Sequence, residues 1–238
     1  MTDRPIIFSR AMVRALLNGR KTMTRRLLNP QPYPLEGKPG FWNASGVVGG
    51  RICSSDAEFL ALHRWAVGDR LYVRESFAPR YFDLGEPAYM ADWTGESADC
   101  VPEPKWKPSI HMPRSISRIT LTVTAVKVER LQDISEADAT AEGIMWDYMR
   151  DPHASGPGAC RYFTPAIDTP TALKGFNTAA GAFRALWDSL NAKRAPWDSN
   201  PWVVASTFIV HKCNIDQLEK ENVHAVLSQK DPQEHGGA

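Results

Sequence analysis

Apolar residues recur along this chain at two spacings, one typical of helices and the other of strands. Near the N-terminus the helical spacing is carried by Met12, Val13, Leu16 and Leu17. It predicts a helix over Arg10–Asn18, capped by Ser9 and followed by Gly19, a residue suited to the left-handed conformation. A second amphipathic helix is predicted from Thr178 to Leu190. Its inward side chains are expected to be Phe183, Leu186, Trp187 and Leu190.

The clearest strand pattern runs from Arg118 to Leu131. Apolar residues alternate as far as Ala125 and resume at Val126 and Val128, so the pattern predicts a register change near Ala125. This segment is therefore expected to be one long, bending strand.

Shorter elements complete the pattern. Strands are predicted over 68–76 and 202–211. A short helix is predicted between residues 133 and 144, with Ser135 as its N-cap and Gly143 as its C-cap.

Three stretches rich in Gly, Pro or Thr separate these elements and are predicted to be long loops: 29–64, 77–113 and 145–177. Short strands with long excursions and few helices favour an α+β fold, a small β-barrel flanked by helices. The domain is expected to span residues 1–212, and a polar helix or tail follows over 213–238.

Composition sets limits on location and cofactors. No apolar run approaches the roughly 20 residues that cross a bilayer, and the N-terminus lacks a signal peptide's apolar stretch, so a cytoplasmic protein is expected. The cysteines form no CxxC pair and are expected to be reduced thiols: Cys53, Cys100, Cys160 and Cys213. Because the six histidines are scattered without zinc-ligand spacing, no metal and no other cofactor is expected.

Positive charge is concentrated near the N-terminus. The first 26 residues contain seven basic side chains and one acidic side chain, a net charge of +6, whereas the whole chain carries +1. A local basic face on a near-neutral body suits one anionic ligand or a strand of nucleic acid. A solvated surface of arginines is an equally good interpretation.

Lys21 and Thr24 lie within this basic segment, where a helix is predicted to pass into a strand. A threonine hydroxyl becomes a nucleophile only when a base takes its proton, and a lysine with a lowered pKa can serve as that base. The positive charges of Arg20, Arg25 and Arg26 would lower such a pKa. The alternative is a strand threonine beside a lysine that contacts phosphate.

The pattern Gly19-x-Lys21-x-x-Thr24-x-Arg26 after an N-terminal helix resembles the signature of ASCH domains, which belong to the PUA-like β-barrel superfamily. The turn and strand at 68–73 and the helix that ends at Glu142-Gly143 fit the same resemblance. The Trp- and Pro-rich run 106–113 and the helix around Trp187 resemble the longer version found in phage and prophage proteins. The resemblance implies a PUA-like barrel and a location in a bacterial or phage-infected cell.

Most ASCH domains have glutamate where this chain has Thr24. The similar small bacterial amidohydrolases that cleave N4-acetylcytidine have threonine there, and a lysine, a threonine and a glutamate form their catalytic set. The resemblance therefore implies Lys21, Thr24 and Glu142 as catalytic residues. The long loops and a chain about twice the length of those enzymes leave the substrate open.

Other residues are candidates for ligand binding. Arg20, Arg25 and Arg26 would grip an anion, and Arg74 would bind phosphate. Glu75 would face the pocket or pair with a nearby arginine. Aromatic or imidazole rings that would stack on or bond to a base are Tyr72, Trp106 and His111, although Trp106 suits core packing equally well.

Three functions follow from these patterns. The first is binding of RNA, modified DNA or a modified nucleoside through a base held in a basic cleft. The second is metal-free hydrolysis of an acyl-amide such as that of N4-acetylcytidine. The third is a phage accessory protein that binds a host protein through the inserted loops. None of these functions requires a membrane.

Overall fold

In the computed structural model the chain is described over residues 2–37, 42–43, 52–53, 65–79, 86–94, 104–147, 161–164 and 175–218. Three α-helices have their bounds within these ranges: α1 Arg10–Leu17, α2 Glu136–Ala141 and α3 Ala179–Asn191. The longer strands are β1 Asp3–Ile7, β2 Met23–Leu27, β6 Arg70–Arg74, β9 Thr120–Arg130 and β12 Trp202–His211. The shorter strands are β3 Tyr33–Pro34, β4 Trp42–Asn43, β5 Ile52–Cys53, β7 Phe77–Ala78, β8 Ala88–Tyr89, β10 Met145–Asp147 and β11 Arg161–Phe163.

The largest sheet has five strands in the order β1-β6-β9-β12-β2. Strand β1 runs parallel to β6, with Asp3 opposite Arg70. Strand β2 runs antiparallel to β12, with Thr24 opposite Ser206. Smaller sheets join β3-β4-β5, β7-β8 and β10-β11. The predicted α+β class is confirmed, with a mainly β core and few helices, and the strand pairings among the described residues do not close into a barrel.

The chain divides into two compact units. Unit 1 comprises residues 1–8, 70–121 and 211–238, and unit 2 comprises residues 9–69 and 122–210. The described core of unit 1 includes Leu71, Val73, Ile119 and Leu121, each at most 1% exposed. Their alternation along β6 and into β9 is the period-2 pattern of a half-buried strand.

The described core of unit 2 is built by α1, α3 and β12. Val13 and Leu16 of α1 are fully buried, as is Val203 of β12. Trp187 of α3 joins this core and donates its indole N–H to a backbone carbonyl, so its single polar atom is satisfied.

The predicted first helix is confirmed as α1. Ser9 holds the extended N-cap position, but its side chain makes no capping hydrogen bond. Gly19 has a φ of 69°, the left-handed value predicted for the residue that ends this helix.

The two later helices are also confirmed. The Ser135 hydroxyl accepts from the backbone N–H of Asp138, and the Thr178 hydroxyl caps α3 in the same way. Leu190, expected to face inward, is instead 62% exposed. The buried stripe of α3 ends at Trp187, so the last turn of the helix has no core to cover.

The long strand bears out the predicted register change. Burial alternates along β9 up to Val123, and the next two residues are exposed. Val126 and Val128 then pack against a separate cluster formed by Leu28, Cys53 and Val204. The final strand has the predicted bounds, 202–211.

Several predictions fall partly outside the described residues. These include most of the loops 29–64 and 145–177, Cys100, Cys160 and the tail beyond residue 218. Cys53 and Cys213 lie within the described residues and form no disulfide. Within the described ranges, no helix combines the length and the hydrophobicity that a membrane span requires.

Candidate functional site

The site in unit 2 begins where the chain leaves α1. The backbone N–H groups of Arg20 and Lys21 both donate to the Ala15 carbonyl, at 2.9 and 3.1 Å. The left-handed Gly19 makes this tight reversal possible, because it turns the chain without a Cβ clash. Lys21 therefore lies in the curved lead into β2, not in its straight part.

Lys21 is 2% exposed and belongs to the largest fully buried side chains in the described structure. Its ammonium Nζ lies 2.7 Å from Glu142 Oε2 and donates a second hydrogen bond, of 2.9 Å, to the Glu142 carbonyl. A β-bridge also joins the backbones of these two residues. Residues 121 positions apart thus form a buried ion pair with charge-assisted hydrogen bonds.

Gly143 lets the end of α2 come this close. Its φ is 100°, and a Cβ there would lie 3.2 Å from the Ala15 Cβ and 3.4 Å from the Lys21 Cβ. A side chain would therefore be strained by the backbone angle and crowded by its neighbours. The backbone N–H of Thr22 donates to the Ala141 carbonyl at 2.9 Å, which locks the same approach.

Arg25 holds the other side of the Glu142 carboxylate. The side chain of Arg25 is completely buried, and its Nη1 lies 3.4 Å from Glu142 Oε1. Its Nη2 lies 2.7 Å from both Glu129 Oε1 and Asp138 Oδ2. Arg25 was predicted to bind a ligand, and the structure instead places it among three carboxylates, where it positions Glu142.

The charges in this network balance. Lys127 on β9 lies 2.7 Å from Asp138 and 3.1 Å from Glu129. Three cations, Lys21, Arg25 and Lys127, therefore face three carboxylates. Such balance is what allows charged groups to remain in a poorly hydrated interior.

Burial lowers the pKa of the Lys21 ammonium from its ordinary value, because the charged form is poorly solvated. Glu142 opposes this shift by its charge and its hydrogen bond, whereas Arg26 and Arg25 add to it. A lysine whose pKa is lowered beside a carboxylate is typical of sites that transfer protons.

Thr24 lies on β2 directly opposite Ser206 of β12, so their side chains share one face of the sheet. Both residues are buried, at 4% and 1% exposed. The Ser206 hydroxyl has no hydrogen-bond partner among the described residues.

Sequence reasoning missed Ser206. The one signal was a hydroxyl in an otherwise apolar stretch of the final strand, Val203-Val204-Ala205-Ser206. The hydroxyl becomes informative only when the register of β12 against β2 places Ser206 opposite Thr24, and register is a property of the sheet.

Arg20 and Arg26 flank the buried pair in the sequence. Arg20 is half-buried, burial lowers its pKa, and its Nη1 is buried without a hydrogen-bond partner. Arg26 is exposed, yet desolvation lowers its pKa and Glu142 opposes that shift.

The remaining candidates lie in unit 1. The Arg74 guanidinium donates to the carbonyls of Met112, at 2.9 Å, and Ile110, so it braces the turn over Ser109–His111. Tyr72 is half-buried, with the Arg114 guanidinium 5.9 Å from its ring centre.

Glu75 is 1% exposed and paired with Arg118, which lies 2.9 Å from Oε1 and 3.1 Å from Oε2. Burial raises the pKa of Glu75, and Arg118 opposes that rise. The alternative that Glu75 pairs with a nearby arginine is therefore the observed arrangement. His111 is exposed, and Trp106 is half-buried against Trp93.

Comparison with known proteins finds no matching family model, no matching curated protein and no matching solved structure. Within the described ranges, no group of three or more His, Cys, Asp or Glu side chains is arranged to hold a metal ion.

Proposed function

We propose that unit 2 binds a nucleobase, in a modified nucleoside or in nucleic acid, at the buried pair Lys21–Glu142. The observation that carries the proposal is Ser206, a fully buried hydroxyl without a partner that lies opposite Thr24. A buried hydroxyl without a hydrogen bond costs roughly 1–3 kcal/mol, so we expect this one to gain a partner when a ligand binds.

The polar groups of this site match the edge of a base. Lys21 is a donor, the carboxylate of Glu142 is an acceptor, and the hydroxyls of Thr24 and Ser206 serve as either. A cytidine-type edge likewise presents ring acceptors beside an amino donor. Lys21 and Thr24 are three residues apart, so chain geometry keeps their Cα atoms within about 10 Å. That span is comparable to one base.

Arginines at the same turn suit the anionic part of a nucleotide. Arg20 offers a buried N–H group that has no partner, and Arg26 is exposed beside Glu142. Guanidinium groups bind phosphate through paired hydrogen bonds. Affinity for a nucleotide or RNA is therefore expected to exceed that for the free nucleoside and to fall as salt rises.

Ser206→Ala is the sharpest test of this site. We expect its affinity for N4-acetylcytidine or cytidine, measured by calorimetry, to fall roughly threefold to tenfold, the range for one lost hydrogen bond. Its free energy of unfolding is expected to stay unchanged or to rise, because Ser206 makes no bond in the free protein. Thr24→Val is expected to weaken binding to a similar extent.

The control is Ser199→Ala, which removes the hydroxyl of an exposed serine outside this site. Its affinity is expected to equal that of the wild type. Absence of binding by the wild type to nucleosides, nucleotides and RNA would refute the proposal. Equal losses in Ser206→Ala and Ser199→Ala would refute the assignment of Ser206 to the site.

The lowered pKa of Lys21 favours a second function, hydrolysis of an N4-acyl group. The Thr24 oxygen would bond to the acyl carbon while neutral Lys21 takes the hydroxyl proton. The bond between the acyl carbon and N4 then breaks, and Lys21 returns the proton to the leaving nitrogen. Water hydrolyses the acyl ester of Thr24, which releases acetate and restores the hydroxyl.

Hydrolysis predicts release of cytidine and acetate from N4-acetylcytidine, followed by chromatography. Thr24→Val and Lys21→Met are each expected to lower the rate by about 100-fold to 10,000-fold, while Thr24→Ser retains activity. The rate should rise with pH, because only neutral Lys21 accepts a proton, and its half-maximum should fall below pH 10.5. A wild type that binds the nucleoside without cleaving it would leave binding as the function.

A further inference from the structure

Unit 1 contains a cavity of about 300 Å³ that the unit 2 proposal does not use. Tyr89 and Trp93 line one side of it, and Trp106 lines another. The turn that carries Trp93 is held by a hydrogen bond from its backbone N–H to the Met90 carbonyl. The two walls are therefore described parts of the chain, and the volume matches the small end of known ligand pockets.

The wall that carries Trp106 is fixed by its neighbour. Lys107 and Phe77 exchange backbone hydrogen bonds in both directions, of 2.7 and 3.1 Å. The Tyr89 hydroxyl donates to the Ile116 carbonyl at 2.8 Å, which holds that ring in place. Aromatic groups are thus pre-positioned on both walls, so little side-chain entropy would be lost on binding.

The rings are set at a steep angle to each other. The centres of Trp93 and Trp106 are 5.9 Å apart, and their planes meet at 69°. The two rings therefore pack edge to face in direct contact, so a ligand in the cavity would lie against the outer faces of this pair and not between the rings. Tyr89 already interacts with a cation, since the Arg118 guanidinium lies 4.0 Å from its ring centre.

The charges around the cavity favour a cation. Glu86 and Asp92 line it, and no basic residue is among the described residues that do. Arg118 pairs with two carboxylates, Asp92 and the buried Glu75, and Glu86 adds a third negative charge to the cavity lining. The arrangement leaves a negative potential beside aromatic faces.

We propose that this cavity binds a small organic cation that carries a trimethylammonium group. The methyl groups of such a cation would contact the faces of Trp93 and Trp106, and its charge would be attracted by the rings and by Glu86 and Asp92. A neutral group of the same shape would receive the contacts without the attraction. This inference concerns unit 1 and stands independently of the nucleobase proposal for unit 2.

The test compares choline with 3,3-dimethylbutan-1-ol, its neutral isostere, by titration calorimetry on the whole chain. Choline is expected to bind roughly fivefold to thirtyfold more tightly, the range for a cation against aromatic faces. Nε-trimethyllysine is titrated in the same way. Whichever of the two cations binds more tightly identifies whether the trimethylammonium group belongs to a choline-type molecule or to a methylated lysine. Equal or tighter binding of the isostere, or no binding of either cation, would overturn the proposal.

Two variants and one control locate the site. Trp106→Leu is expected to abolish choline binding, while Trp146→Leu, which removes an exposed tryptophan outside the cavity lining, leaves it unchanged. Glu86→Gln removes only an exposed charge and keeps the proposal testable if Trp106→Leu fails to fold. It is expected to weaken choline binding severalfold without affecting the isostere, and an unchanged choline affinity would count against the cation assignment.

Discussion

Glu142→Leu is expected to lower the free energy of unfolding by about 3–5 kcal/mol, because it leaves a buried cation without its partner. Lys21 Nζ lies 2.7 Å from the Glu142 carboxylate, and both side chains are at most 4% exposed. Water cannot replace the lost carboxylate at that depth. Urea denaturation at neutral pH measures the loss directly.

A double-variant cycle separates stability from function at this pair. Lys21→Met is expected to cost about as much as Glu142→Leu, but the combined variant should lose far less than the sum, because two apolar side chains pack without a charge. It should nevertheless fail to bind a nucleoside. Additive losses would show that the pair is not coupled. Glu36→Gln, at an exposed turn, is the control and should stay within about 0.5 kcal/mol of the wild type.

Arg25→Leu is expected to destabilise the protein by a similar amount, about 3–5 kcal/mol. The variant removes a fully buried guanidinium from Glu129, Asp138 and Glu142 at once. Arg25→Lys should recover only part of the loss, since an ammonium lacks the planar fork that reaches several carboxylates. Midpoints of urea unfolding for the two variants give the comparison.

The matched control for Arg25 is Arg184→Leu on α3. Arg184 also pairs with a carboxylate, Asp198 at 3.0 Å, but its side chain is 51% exposed. An exposed pair contributes about 0–1 kcal/mol, so this variant should remain close to the wild type. Equal losses for Arg25→Leu and Arg184→Leu would contradict the role assigned to the buried guanidinium.

Much of the secondary structure could be predicted because local rules agree with the fold. The helix after Ser9, the capping of α2 by Ser135 and the register change after Val123 all depend on residues close together in the chain. The inward position predicted for Leu190 was wrong. Helical spacing continues to the end of a helix, whereas the core that the helix packs against does not extend that far.

The site was predictable only in part. Lys21 and Glu142 were paired through a resemblance, and the structure brings them within 2.7 Å. Arg25 was expected to bind an anion together with Arg20 and Arg26, because a run of basic residues does not reveal which side chain lies on the buried face of a strand. Ser206 carried almost no signal before the register of β12 against β2 was known.

The basic segment 19–26 and its polar candidates were determined by sequence alone, as were the helix caps, the long strand and the α+β class. Tertiary structure decided which of those charges are buried and which meet solvent. It gathered Lys21, Arg25 and Glu142 from two distant segments and placed Ser206 opposite Thr24. The physical reason is that desolvation and strand register depend on neighbours far away in the chain, which local spacing does not encode.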